Sequence, residues 1–277
     1  MVEPVLFYCS GIWGTKTYSV INSVQNKAAK SFMSVGRYTS NTAVRGDMGW
    51  TSCFTKQRTA CVRLLCRILR SDDTRLTRRI TEWTTNRQKT WYTKVKTFVQ
   101  TIDANDIVND IRLSAKTVMR TICERYKTID NDEFIRDLFN DTNNIVNGNK
   151  LRTYRLYKNT VKTEKYLRLQ IPKRVRRTVA LFRSGSLPLA IETGRYARPR
   201  IPIDDRLCKH CDINEVESER HFMMVCPLYD DMRFELFEKA KTVMNDFETL
   251  DINSKFLRLM SCDEIQLSLS FSIFNFF

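Results

Sequence analysis

The chain has 277 residues, of which 42% are apolar and 11% aromatic, and a formal net charge of +15. That apolar content excludes a disordered chain, and eight glycines with six prolines are too few for a turn-rich all-β sandwich. The charge favours polyanionic partners, nucleic acid above all.

Nine cysteines would suggest disulfides in a secreted chain. The opening "MVEPVLFYCSGIWG" has no basic start and carries Glu3, which makes it a poor signal peptide. No apolar run reaches the ~18 residues of a membrane span. The thiols therefore read as reduced, and the chain as intracellular, nuclear or cytoplasmic.

In chain order, "PVLFYCSGIWG" (4–14) reads as a buried strand starting directly after Met1, as if cut from something longer. Over residues 17–35, Ile21, Val24, Ala28, Phe32 and Val35 recur at helical spacing, and Gly36 suits the position after the helix. "NTAVRGDMGW" (41–50) reads as a turn-containing connection. A helix from about Phe54 to Arg70 turns Cys61, Leu64, Leu65 and Ile68 inward and Arg63, Arg67 and Arg70 outward. Cys61 and Cys66, five apart and off any single face, read as core thiols. Residues 71–104 are polar, with Trp83 and Trp91 as anchors. Asn105 or Asp106 can cap a helix to about Lys127 whose apolar face is Ile111, Ala115, Val118 and Ile122. "DTNNIVNGN" (141–149) is the clearest internal break.

Beyond that break the charge concentrates. Between Lys150 and Arg200 fifteen lysines and arginines face only Glu164 and Glu192, a net of +13. Taken as a helix, "KLRTYRLYKNTVKTEKYLRLQ" sets Leu151, Tyr154, Tyr157 and Val161 in one stripe. Arg152, Arg155, Lys158, Lys162 and Lys165 form the neighbouring stripe, and "PKRVRR" adds Arg174, Arg176 and Arg177. Cations beside tyrosines can follow a phosphate backbone while the rings stack on bases, so these eight residues are the candidate nucleic-acid contacts. The bland alternative is a solvated helix face with tyrosines packed inward, and a membrane surface is a weaker third.

"RLCKHCDINEVESERHFMMVCPLYDDMR" (206–233) holds both histidines and three cysteines. Its spacing, Cys208-x2-Cys211-x9-His221-x4-Cys226, offers three thiolates and one imidazole to a single structural Zn²⁺. Ser218 can cap a short helix with His221 in its first turn. On an ideal helix Cys226 would then point about 140° away from His221. The helix must loosen or end at Cys226, where Pro227 helps it do so. His210, between the paired cysteines, is a rival donor. Asp230 and Asp231 invite comparison with a polymerase acidic box. The aromatic such a box needs is Leu228 here, and a helical pattern follows, so the pair reads as a helix start. The chain has no P-loop, Gly-x-Gly-x-x-Gly or Gly-x-Ser-x-Gly, and no histidine left for acid–base work, so no enzyme activity is expected.

These residues carry a resemblance. Leu189, Ile191, Glu192, Gly194, Arg195, Arg206, Cys208, Cys211, His221, Phe222, Cys226, Pro227 and Tyr229 stand as in the C-terminal zinc-binding region of non-LTR (LINE-type) retrotransposon reverse transcriptases. "KLRTYRLYK" resembles the basic stretch that this family places upstream, and "PVLFYCSGIWG" with "AVRGDMGW" resembles the segment after its polymerase palm. The resemblance implies a mainly α chain in three segments. Residues 1–145 would be a helical, bundle-like post-palm or thumb region, 146–205 a basic nucleic-acid-binding segment, and 206–277 a CCHC zinc module with following helices. It further implies largely sequence-independent binding of RNA or DNA, in company with other parts of a retrotransposon ribonucleoprotein, by a fragment without the catalytic palm or an endonuclease. The apolar tail "QLSLSFSIFNFF" departs from the family and, exposed, is an aggregation hazard. The rival readings are a zinc-stabilised protein–protein interaction module and a translated remnant without function.

Overall fold

The computed structural model describes residues 2–110, 112–140 and 148–261. Ile111, most of the Asn-rich break and the apolar tail lie outside the described residues. Within them the chain is mainly helical, and the one β feature is an isolated antiparallel bridge between Leu207 and Val216. No described helix is long and apolar enough to cross a membrane. The chain falls into two compact units, Met1–Gln25 with Thr51–Glu133 and Asn26–Trp50 with Phe134–Phe277.

In the first unit the expected N-terminal strand is replaced by the helices Val2–Leu6 and Ser10–Trp13, with Val5, Tyr8 and Ile12 exposed. Among the described residues no strand is present to pair with it, and helices satisfy their backbone groups locally. The helix Cys53–Leu69 forms as expected. Ser52 caps it, its Oγ accepting the Thr55 amide at 3.0 Å. Asp130 backs the cap, accepting from the Ser52 amide at 2.9 Å and the Ser52 hydroxyl at 2.7 Å. A carboxylate at that end also suits the helix dipole. Cys61 and Cys66 are core thiols, and burial pushes the Cys61 thiol up to about 11, which makes it inert. Trp91 is an anchor, donating its indole N–H to the Gly11 carbonyl at 2.9 Å. Trp83 is not: it is 63% exposed, with Arg87 stacked 3.6 Å from its ring. The expected helix over 105–127 breaks into Asn105–Asn109 and Ala115–Phe139. Ser114 restarts it by accepting the Thr117 amide. Val118 and Ile122 are buried as expected, whereas Ala115 is exposed.

In the second unit, which takes up the helix Ser19–Met33 from Asn26 onward, that helix ends on Ser34 in the left-handed region (φ 61), not at Gly36. Its buried face, Ala29 and Met33, is turned from the expected stripe, leaving Phe32 exposed. Residues 41–50 are no mere connection: Asn41–Met48 is a helix ending at Gly49 (φ 64). A Cβ on Gly49 would lie 2.2 Å from the Thr163 nitrogen, so close approach and backbone sign both require glycine. That helix delivers Asp47 into the interior beneath the phenols of Tyr154 (2.8 Å) and Tyr166 (2.9 Å) and the guanidinium of Arg183 (2.9 and 3.1 Å). Burial, with Asp47 alongside, pushes both phenols well above their usual range, so they remain donors. The long basic helix expected after Lys150 is only the turn Tyr154–Tyr157. Beyond it tertiary bonds take the backbone: the Glu164 amide donates to the Asp47 carbonyl at 2.9 Å. The helices Lys173–Arg183, Asp230–Val243 and Ile252–Ser261 close a core that includes Phe182, Phe222, Leu236, Phe247 and Leu259. Asp230 and Asp231 stand in the first turn of Asp230–Val243. Its buried positions are Leu236 and Ala240, followed by Met244, while Phe234 is exposed.

Candidate metal centre

The four donors converge. One ligand atom from each of Cys208, Cys211, His221 and Cys226 lies within 4.8 Å of all the others. Cys208 Sγ and Cys226 Sγ are 4.0 Å apart, and Cys211 Sγ is 3.4 Å from His221 Nε2. Two local devices produce this. The first is a knuckle: the Cys208 amide donates to the Glu215 carbonyl (2.9 Å) and the Glu217 amide to the Arg206 carbonyl (3.0 Å). Asn214 turns in the left-handed region (φ 57) between them. The His210 ring is exposed and outside the donor set, and its backbone amide instead donates to Cys208 Sγ at 3.4 Å.

The second device answers the rotation problem posed by the His221–Cys226 spacing. Ser218 caps the turn as expected, accepting the His221 amide at 3.2 Å. The backbone then widens into a π-helix over His221–Val225, and the Cys226 amide donates to the His221 carbonyl at 2.9 Å. Widening to an i→i+5 turn brings residues five apart toward one face, which an α-helix cannot do. Cys226 leaves the turn extended (ψ 122) before Pro227, and Arg233 donates to its carbonyl at 2.6 Å.

One further residue belongs to the centre. Glu215 Oε2 is 3.3 Å from His221 Nδ1, poised to hold the tautomer whose Nε2 faces the thiols. The acidic spacer contains it, but only the fold distinguishes it from its neighbours. Burial first, then the neighbouring thiols, push Cys208 up to about 12, and burial likewise raises Cys226. Both thiols would have to give up their protons to hold a cation.

The remaining motif residues build the frame rather than the centre. Arg206 is buried and donates to the carbonyls of Ile191 (2.8 Å) and Ile201 (3.0 Å). A Cβ on Gly194 would meet the Arg206 side chain at 2.7 Å, which explains the glycine there. Glu192 pairs with Lys150 (2.6 Å) and Arg195 (2.9 Å), and the Ala190 amide donates to Glu217 (2.6 Å). Phe222 lies between Tyr229 (4.7 Å) and Phe182 (5.9 Å), tying the π-turn into the core.

The eight candidate nucleic-acid residues divide. Lys158 is buried and paired with Glu164, and Arg152 is paired with buried Glu219 at 2.6 Å. Arg155 is half-buried with Phe139 in reach, Lys165 is half-buried, and Arg176 stacks 4.7 Å from the Phe32 ring. Lys162, Arg174 and Arg177 are exposed. The first unit holds cations that the sequence reading did not single out as contacts: Arg63, Arg67, Arg70, Arg75 and Lys116 border one concavity with a single acid, Asp72. Comparison with protein-family models, curated proteins and solved structures returns no match.

Proposed function

We propose that this chain is a zinc-stabilised, nucleic-acid-binding segment related to the C-terminal region of non-LTR retrotransposon reverse transcriptases, one that grips RNA or DNA without polymerising it. The observation that carries the reading is the mutual approach of the four donors. A tetrahedral zinc with sulfur at 2.3 Å separates two sulfurs by ~3.8 Å, and a sulfur from an imidazole nitrogen by ~3.6 Å. The separations here are 4.0 and 3.4 Å. Cys208, Cys211, His221 and Cys226 would hold the ion. A full set of four protein ligands makes its role structural, fixing the knuckle and π-turn on the basic part of the unit.

Exposed Lys162, Arg174 and Arg177, with Arg168 and Lys173 beside them, supply the phosphate contacts. Affinity for a single-stranded RNA should fall log-linearly with salt, by about 0.7 per phosphate contacted, and depend little on sequence. A flat plot would count against the reading. Leu228 and Phe234, 57% and 66% exposed, favour a protein-interaction module as the second reading. Binding to polyglutamate in preference to RNA at equal salt would select it. Glu215→Ala should lower zinc affinity about 10- to 100-fold while leaving the four ligands in place, as competition with a chromogenic chelator would report.

A further inference from the structure

The second unit contains a cavity of 590 Å³, within the size range of small-ligand sites, that has no part in the metal centre. Its floor is Leu181, Leu187 and Pro188. Its wall is a pair of tyrosines, Tyr38 and Tyr196, with ring centroids 6.3 Å apart and planes tilted by 50°. They come from positions 158 residues apart in sequence, yet both remain more than 60% exposed. Core packing therefore does not explain their meeting.

Cations surround them. The Arg37 guanidinium lies 4.7 Å from the Tyr38 ring and donates to its hydroxyl at 2.6 Å, and exposed Arg177 lines the cavity. Lys150 donates to the Tyr38 carbonyl at 3.0 Å, and Lys30 to the Arg37 carbonyl at 3.0 Å. Burial, then Lys150, holds the Lys30 ammonium below its ordinary pKa, as crowded cations do. Against these four charges the cavity offers one acid, Glu192, already paired with Lys150 and Arg195. Ser186 and Thr193 leave hydroxyls at the wall.

From this geometry we infer that the cavity takes one unpaired nucleotide of a single strand, its base on the Tyr38–Tyr196 wall and its phosphates toward Arg37 and Arg177. The 50° tilt prevents both rings from lying flat on one base, so one ring stacks on the face and the other meets the edge. A duplex cannot use the site, because its bases are already stacked.

The inference rests on the nucleic-acid reading above, and one experiment separates the two. Affinities are measured for a single-stranded oligoribonucleotide carrying one 2-aminopurine and for a blunt RNA duplex. The proteins are the wild type, the double variant Tyr38→Ala/Tyr196→Ala and the double variant Tyr38→Phe/Tyr196→Phe, each with its melting temperature recorded. Stacking on aromatic side chains predicts that the alanine pair loses at least about fivefold in single-strand affinity, together with the 2-aminopurine quench. The phenylalanine pair keeps both, and duplex affinity and melting stay unchanged. Equal losses for strand and duplex, or an alanine pair within twofold of wild type on the single strand, overturn the nucleotide pocket alone. A wild type that binds neither ligand overturns the nucleic-acid reading and the pocket with it.

Discussion

Cys211→Ser should release one equivalent of zinc per chain and melt the knuckle and π-turn. Cys211 is the half-exposed member of the four, so replacing its sulfur by oxygen disturbs packing least and isolates the loss of coordination. Structural zinc contributes on the order of 10 kcal/mol to small finger peptides. Here part of that would be masked, because Phe222 and Met224 also anchor the turn in the core. A chelator should reproduce the change in wild type, and added zinc should reverse it. Zinc affinity should fall as the pH falls, since the raised Cys208 and Cys226 thiols must release protons on binding. Cys9→Ser, at an exposed cysteine outside the set, should retain the ion. Elemental analysis with circular dichroism decides: a Cys211→Ser protein that keeps one zinc and melts as wild type removes the metal centre.

The second large effect should come from Asp47→Ala. Arg183 is almost wholly buried, held by Asp47, by Glu164 at 3.1 Å and by the Met260 carbonyl at 2.7 Å. Removing Asp47 takes away the partner of two guanidinium bonds and an acceptor from each of the Tyr154 and Tyr166 hydroxyls. Breaking a buried pair from one side costs about 3–5 kcal/mol, enough to unfold a marginal unit. Urea unfolding measures it, and a loss below ~1 kcal/mol would show that water replaces the carboxylate. Asp47 also sets an acid limit. Burial alone would raise its pKa, but the charge and hydrogen bonds of Arg183 prevail and lower it. A depressed folded-state pKa adds stability that is present above the unfolded value near 4 and disappears as pH falls through the folded one. The part of the acid transition that Asp47 contributes should therefore lie below about pH 4, and Asp47→Asn should remove that component.

Much of the candidate metal centre was legible in the chain. The convergence of four donors, the cap at Ser218 and the conflict between a five-residue spacing and an α-helix all depend on a few consecutive bonds. The helix Cys53–Leu69 was legible for the same reason: its period, cap and core thiols are local. Residues 41–50 do not announce a helix in the sequence, because Asn41–Met48 buries a charged Asp47, which only a distant arginine makes tolerable. The arm failed as a helix because Lys158 and Arg152 find acids inside the unit, so a run of positive letters did not become a stripe of positive surface.

By itself, then, the sequence determined the mainly helical character, the positive charge and the four donors with their turn chemistry, because each follows from composition or from bonds spanning about ten residues. The tertiary structure decided which arginines stay exposed, that Glu215 lies beside His221, and that Tyr38 meets Tyr196. Those outcomes depend on which groups are brought close and which are shut away from water. Charge and aromaticity are properties of a residue, but availability is a property of its surroundings.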